Sequence, residues 1–405
     1  MKFLHAADLH LDTPFQGLTA LPAALQQQII AAPLRALQRL VDLALAQQVD
    51  FVLLVGDLFD QQAQSVQAQA ALMTALEQLK AAEIPVVLSF GNHDFQPDLT
   101  VWQFPDNVHV LGAQVETVTL TTAQQERVAI SGFSYAQRWI TTPMVPEFPF
   151  KAQAVDYQIG MLHGQVGTAG DHYAPFNVTD LLAKHYDYWA LGHIHQRQQL
   201  NAVPPIEYPG NIQGRQRHET GDKGCLIVTS QANHQLVPTF ESLTDLSWAD
   251  WTPVLSGKLD RATLLAQLTD QLTALATNEQ QLVTIQLPTH VQLTASANLA
   301  LEQGALLTQL QTKLAATTIW PVALKLATLS TAPATFGVAT ATWEHAGQQV
   351  VTAANIADLA GHLLDEPFLN QALLETLTPA QWQQQVMTLL ADQYQLTTTE
   401  ADDAN

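Results

Sequence analysis

At 405 residues the chain is longer than one ordinary hydrophobic core, which predicts two or three domains. An apolar share of 47% with a charged share of 13% excludes disorder over most of the chain, leaving only residues 397–405 as a polar tail. The formal charge of −21 excludes a general nucleic-acid or anionic-membrane surface, since both need clustered Lys and Arg.

The first predicted strand, residues 2–7, begins directly after Met1, leaves no room for an apolar leader, and ends on Asp8-Leu9-His10-Leu11-Asp12. Leu34, Leu37, Val41 and Leu45 recur at helical spacing, with Pro33 starting that helix or kinking what precedes it. A fully apolar strand, residues 51–55, stops on Gly56-Asp57. Leu72, Leu76 and Leu79 mark a second helix, and the apolar run 84–90 stops on Gly91-Asn92-His93-Asp94. This alternation is the βαβ rhythm of a parallel sheet.

Shorter alternating runs follow at 108–111, 115–120 and 128–133. The strand 157–162 ends on His163-Gly164, and the strand 187–191 ends on Gly192-His193-Ile194-His195. Further strands are predicted at 206–208, 225–229 and 236–240, the first strand of this last pair carrying Cys225, the only cysteine. No internal disulfide can form, which fits a reducing cytoplasm. No apolar run approaches the ~18 residues of a bilayer span, so no membrane contact is expected.

Trp248, Trp251, Pro253 and Gly257 break the pattern within 243–258, where a domain boundary is expected. Residues 259–330 read as helix (Leu264, Leu268, Leu272), strand (282–287), helix (299–314) and strand (322–329), a small α/β module. Residues 331–352 read as a Thr-, Ala- and Gly-rich linker, and 353–396 as helical, with Thr378-Pro379 opening the last helix. The expected fold is α/β: a two-sheet αββα sandwich over residues 1–242, a small α/β capping domain over 259–330, and a helical C-terminal segment over 353–396. Residues 1–240 hold 12 basic and 21 acidic side chains, 241–405 hold 4 and 16, and none is basic after Lys325. Phosphate contacts must come from the first half, a metal centre or a partner.

Five strand ends carry candidate ligands: Asp8 and His10; Asp57; Asn92 and His93; His163; His193 and His195. Ligands of open α/β sheets gather at such carboxyl ends. Residues two apart in extended chain project to one side, so Asp8 with His10 and His193 with His195 each aim into one crevice. Core packing does not require these groups, and burying them unpaired is costly. Carboxylates, imidazoles and one amide oxygen suit Mn, Fe, Zn or Co. Two ions sharing a carboxylate would use the whole set. Such pairs sit ~3.5–4 Å apart, activate a water nucleophile and clamp the oxygens of an in-line phosphoryl displacement.

Asp8-x-His10, Gly56-Asp57, Gly91-Asn92-His93-Asp94, His163-Gly164 and Gly192-His193-x-His195, in this order, resemble the calcineurin-like metallophosphoesterase superfamily over roughly residues 1–240. The segments His5 to Asp12, Gly56 to Asp60 and Tyr208 to Arg215 are similar to its DNA repair exonuclease branch, which includes the SbcD nuclease subunit, and especially to bacterial YhaO-type proteins. The resemblance implies that Asp8, His10, Asp57 and His195 hold one ion. It gives Asp57, Asn92, His163 and His193 the other, with Asp57 bridging. His93 would serve the phosphate as general acid or charge stabiliser, with Asp94 orienting it. The implied cofactor is two divalent ions, usually Mn²⁺, and the implied substrate is DNA. A homodimer is implied, working with an SbcC-like coiled-coil ATPase bound through the C-terminal region.

Arg215, Arg217 and His218 are read either as phosphate contacts or as structural or solvent-facing groups. His172 reads as a cleft or plain loop histidine, His5 as a hydrogen-bonded core residue, and Asp12 as a brace for the first metal's loop. Asp60 stands where some nucleases of this branch have a histidine. Two other functions fit the same motifs: a phosphomonoesterase or small-molecule phosphodiesterase, favoured by the low basic content, and a mainly structural subunit of an ATPase complex.

Overall fold

The computed structural model describes residues 1–13, 21–61, 64–277 and 279–326, with 349–352, 354, 355 and 386 beyond them. Met1–Leu326 form one compact unit and Ala327–Asn405 a second. The expected linker and C-terminal helices therefore fall almost wholly outside the described residues.

In chain order the elements are β1 (Lys2–Ala6), α1 (Ala23–Gln47), β2 (Phe51–Val55), α2 (Val66–Ala81), β3 (Val86–Ser89), β4 (Val108–Val110), β5 (Glu116–Thr121), β6 (Arg127–Gly132), β7 (Tyr157–His163), α3 (Val178–Leu182) and β8 (Tyr188–Gly192). They continue with β9 (Gln198–Ala202), β10 (Pro205–Tyr208), β11 (Gly224–Ser230), β12 (Leu236–Ser242), β13 (Leu246–Trp251), β14 (Lys258–Leu259), α4 (Arg261–Leu275), β15 (Gln280–Leu287), β16 (Gln292–Leu293), α5 (Ala295–Glu302), α6 (Ala305–Leu314) and β17 (Ile319–Leu326).

Two six-stranded sheets, ordered β12-β11-β1-β2-β3-β4 and β5-β6-β7-β8-β10-β9, form the body. In the first, β1 to β4 are parallel; in the second, β6, β7, β8 and β10 are. Alternation along each strand splits its side chains between two cores. Phe3, Phe51, Leu53, Val55 and Val87 face Val128, Ile130, Ile159, Met161 and Tyr188 between the sheets. Leu4, Ala6, Val52, Leu54 and Leu88 face Leu37, Leu40 and Val41 of α1 and Leu72, Leu76 and Leu79 of α2. Burial on both faces is why β2 is apolar at every position. The αββα sandwich expected from the sequence is present, with helices outside two packed sheets.

Three local expectations are corrected. Helix α1 begins ten residues before Pro33 and runs through it. Pro33 falls where the helix changes partner: Leu25, Ile29 and Ala32 pack on Leu246, Trp248, Leu282 and Trp320, while Ala36, Leu37 and Leu40 cover the first sheet. The stretch 243–258 contains β13, whose alternate residues Leu246 and Trp248 are buried. A single helix over 299–314 is instead two, because Gly304 adopts φ +72°, a left-handed turn that ends α5. A parallel three-stranded sheet, β13-β15-β17, packs on α4 and α6 through Leu264, Leu268, Leu272, Val283, Ile285, Leu306 and Leu310. No helix among the described residues is long and apolar enough to cross a membrane.

Candidate metal centre

The carboxyl ends of β1, β2 and β3 lie side by side, and the ends of β7 and β8 meet them from the second sheet. Backbone pairing continues past the strands. Asp8 N–H donates to Gly56 O (3.2 Å), His10 N–H to Asp57 O (3.0 Å) and Leu11 N–H to Leu58 O (3.0 Å). Asp8, His10, Asp57 and His193 have φ of 53°, 43°, 49° and 102°. Left-handed backbone is uncommon for residues with a Cβ, and clustered strain of this kind marks a built site. At Gly91 space is decisive, since a Cβ there would lie 2.7 Å from Asp57 N and 2.8 Å from His163 Nε2.

All seven predicted ligands converge. Donor atoms of Asp8, His10 and His195 lie within 4.8 Å of one another, as do those of Asp57, His163 and His193. Asn92 Oδ1 is 3.1 Å from both His163 Nε2 and His193 Nδ1. Both oxygens of Asp8 accept from His193 N–H at 3.0 Å, tying the two groups together. Asp57 Oδ1 accepts from His93 N–H at 2.9 Å. Its other oxygen is buried and, among the described residues, accepts no hydrogen bond; His163 Nε2 is 3.4 Å and His10 Nε2 3.8 Å away.

Ring protons explain how the histidines are aimed. His163 Nδ1–H donates to Val55 O (3.1 Å), and His195 Nδ1–H to Glu219 Oε1 (2.8 Å). His10 Nδ1 faces Asp60 Oδ1 at 3.2 Å. His163 and His195 thereby turn Nε2 inward, whereas the buried His10 Nδ1 makes no hydrogen bond among the described residues. His10 Nε2 and His195 Nε2 then meet at 3.2 Å, and His163 Nε2 faces the oxygens of Asn92 and Asp57. The 3.2 Å between His10 Nε2 and His195 Nε2 allows one ring to donate to the other, and it is also close to the spacing of two nitrogens bound ~2.1 Å from one ion. Burial alone depresses an imidazole, yet Asp57 and Asp8 override it at His163 and push it up to about 9. At His10 burial prevails, aided by Arg215, and holds the ring at about 3. The donor set fits divalent metal ions, with Asp8, His10 and His195 in one candidate cluster and Asp57, His163 and His193 in another.

His93 stands at the rim, its ring 5.0 Å from that of His10. Its Nδ1–H donates to Asp60 O at 2.8 Å, so Nε2 is the atom that can gain or lose a proton toward a substrate. The expectation that Asp94 orients His93 is corrected. Asp94 is fully buried and turns back under the loop, accepting from Gly91 N–H (2.8 Å), Leu58 N–H (2.7 Å) and Phe59 N–H (3.2 Å). A carboxylate three residues after Gly91 closes the turn on itself, so Asp94 fixes the backbone that carries Asp57 and Asn92.

Arg215 is committed to protein groups rather than held free for phosphate: it pairs closely with Asp60 and lies 3.8 Å from Glu219 Oε1. His218 is exposed on a cleft of about 390 Å³ lined also by His193, His195, Glu219 and Lys223. His172 is exposed in a loop. His5 is a core residue, bonded to Tyr188 OH (2.9 Å) and Leu191 O (3.1 Å). Asp12 braces the loop after β2, accepting from Asp60 N–H and Ser65 N–H. Sequence reasoning missed Glu219. Burial pushes its carboxyl up, but the His195 bond and Arg215 override this and hold it at about 2. It also missed Tyr173, whose ring lies on His193 at 4.4 Å, and Tyr135 and Tyr208, whose hydroxyls hold the His163 and Gly164 carbonyls.

Residues 1–197 match the family model described as calcineurin-like phosphoesterase. Over 253 residues the chain is 40% identical to the metallophosphoesterase YhaO of Bacillus subtilis, covering 61% of this chain and 62% of that protein. Over 200 residues it is 28% identical to the DNA double-strand break repair protein Mre11 of Thermoplasma acidophilum, covering 45% and 51%. With a subunit of the nuclease SbcCD of Staphylococcus epidermidis it shares 24% over 274 residues, 61% and 70% of the two chains. The chain thus spans less than two thirds of the first two relatives. These matches mean that residues 1–197, which carry all seven candidate ligands, are similar to the calcineurin-like phosphoesterases.

Proposed function

We propose that the chain is a two-metal phosphodiesterase that shortens DNA from its ends, a cytoplasmic nuclease subunit in DNA repair. In this reading Asp8, His10, Asp57 and His195 hold one ion, and Asp57, Asn92, His163 and His193 the other, with Mn²⁺ the supporting metal. Residues 1–242 form the nuclease domain and 259–330 the cap. The segment 353–396 engages a coiled-coil ATPase of the SbcC kind, and two copies of the chain form the working dimer. The observation that carries the metal reading is the buried, unbonded oxygen of Asp57, faced by His163 and His10.

When bound, such a pair supplies Lewis acidity toward a phosphoryl oxygen and lowers the pKa of a water nucleophile. The chain's own groups do the rest. Asp8 and the His193 N–H fix the two strand ends in register, and Asp94 locks the loops bearing Asp57 and Asn92. His93 offers Nε2 to the leaving oxygen while the Asp60 carbonyl keeps the ring upright. Support for DNA as substrate, and for the ATPase, comes from the names of the Mre11 and SbcCD relatives. With only 12 basic residues in 1–240, positive charge for gripping a long duplex falls to the partner or the dimer.

The test is nuclease activity of the full chain, stripped of metal and supplied with Mn²⁺, on end-labelled duplex and single-stranded DNA, with His93→Ala beside it. Metal-dependent shortening that disappears in the variant is expected. Intact DNA alongside cleavage of bis(4-nitrophenyl) phosphate would replace this reading with a small-molecule phosphodiesterase.

A further inference from the structure

A row of rings leads outward from the candidate metal centre. Tyr173 lies on His193 at 4.4 Å with 33° between planes, His172 precedes it in sequence, and His172 approaches Trp139 at 5.4 Å and 34°. The row ends at Arg138, whose guanidinium carbon is 5.7 Å from the centre of the Trp139 ring. Two loops carry these groups and are laced together, Ile140 N–H donating to His172 O (2.9 Å), Ala174 N–H to Ile140 O (2.8 Å) and Gly170 N–H to Thr141 O (2.9 Å). The two loops are therefore held to each other, with the Tyr173 ring lying on that of His193.

One exposed tryptophan needs no explanation. Here Trp139 is 51% exposed, His172 and Arg138 are exposed beside it, and no carboxylate of the described residues pairs with Arg138. An open aromatic face with an adjacent free cation suits a flat, electron-rich ring attached to an anion. Base–aromatic stacking also depends little on net charge, so it suits a chain of −21 that has few cations to spend on phosphates.

Building on the phosphodiesterase reading of the site, we propose that Trp139, with Arg138, is a stacking subsite for an unpaired nucleobase flanking the scissile phosphodiester. Paired bases hide their faces inside the duplex, so the subsite recognises single-stranded DNA or a frayed end. Arg138 contacts the phosphate next to the stacked base.

The experiment compares wild type, Trp139→Ala and Trp139→Phe as full chains with Mn²⁺. Steady-state cleavage is measured on a short single-stranded oligodeoxynucleotide and on bis(4-nitrophenyl) phosphate. Anisotropy measures binding of the labelled oligonucleotide to the metal-stripped proteins. Stacking is worth ~1–3 kcal/mol per base, so Trp139→Ala is expected to raise KM and Kd for the oligonucleotide about 5- to 150-fold. Trp139→Phe should recover most of this, with the small ester hydrolysed at the wild-type rate by all three. Unchanged oligonucleotide affinity in Trp139→Ala overturns the proposal, as does a parallel loss on the small ester. A change in oligomeric state at constant KM also overturns it, by making the patch a protein contact. If wild type cleaves neither substrate, the reading of the site fails. The binding arm then still decides the subsite: Trp139-dependent affinity upholds it, and equal affinities sink it.

Discussion

Glu219→Gln tests whether His195 is held as a lone-pair donor. Glu219 accepts from His195 Nδ1–H with Oε1, and from Asn211 Nδ2 and the Arg215 N–H with Oε2, at 2.8, 2.8 and 2.7 Å. Glutamine has one acceptor oxygen and an NH₂ group, so it cannot accept on both sides. If its oxygen stays on Asn211 and Arg215, its NH₂ faces His195 and donates to Nδ1. The ring proton then moves to Nε2, the atom 3.2 Å from His10 Nε2, and the inward lone pair is lost. Losing such an outer partner typically costs ~10–100-fold in metal affinity or activity, roughly 1.4–2.7 kcal/mol. Titration calorimetry of Mn²⁺ into metal-stripped wild type and variant measures this, with circular dichroism verifying the fold. The expected result is one weakened site of two, and an activity curve displaced to higher metal concentration by the same factor. A folded variant that binds both ions with wild-type affinity refutes the tautomer argument.

His5→Phe addresses acid stability. Burial, opposed in part by the Leu191 carbonyl, lowers His5 to about 3 from 6.5. Between these values the unfolded chain binds the extra proton, so this group's contribution is intact above pH 6.5 and falls by about 1.4 kcal/mol per pH unit below it. Urea unfolding at pH 7, 6 and 5 should show the wild-type advantage over His5→Phe shrinking as pH drops, and a constant gap would contradict the assignment. Gly91→Ala drives a methyl group against Asp57 N and His163 Nε2 and should displace the Asp57 carboxylate. Misplacement of ~1 Å costs on the order of 10²-fold in rate, so metal content and turnover should fall together while the circular dichroism spectrum is kept. Leu268→Ala, at a fully buried position of α4, should remove about 2–5 kcal/mol by leaving a cavity. Calorimetry would show a lowered transition, with turnover below that transition unchanged.

The converging candidate ligands are legible in the sequence because their chemistry leaves a local mark: polar residues at the ends of apolar strands, beside glycines that let the backbone close in. Residues acting on the ligands leave no such mark. Glu219 reaches His195 across 24 positions from an irregular loop, and only folding reveals the pairing. Asp94 misleads for the opposite reason. It is adjacent to His93 in sequence, but the turn that begins at Gly91 reverses its side chain into the loop behind. Among the elements, β13 is hidden because Trp248 and Trp251 in a polar stretch look like a break, although they belong to a short strand with one buried face. Pro33 misleads because its position within α1 is set by packing against two different partners, which spacing within the helix does not encode.

The same backbone features that make the site hard to build make it ready to bind. Four left-handed residues raise the energy of the folded chain, each by ~1–3 kcal/mol. That arrangement persists because the strands hold it on all sides: β1 and β2 remain hydrogen-bonded beyond their ends, Val55 O fixes His163, and Asp8 fixes the His193 backbone. Among the described residues the candidate donors already converge, so little of a cation's binding energy is spent on bringing them together. A cation would also pair with the buried oxygen of Asp57, which accepts no hydrogen bond among the described residues. Folding and metal binding are therefore linked: the loaded protein should be more stable than the stripped one by RT ln(1 + [M]/Kd), an increment that grows with each tenfold rise in free metal by about 1.4 kcal/mol per site.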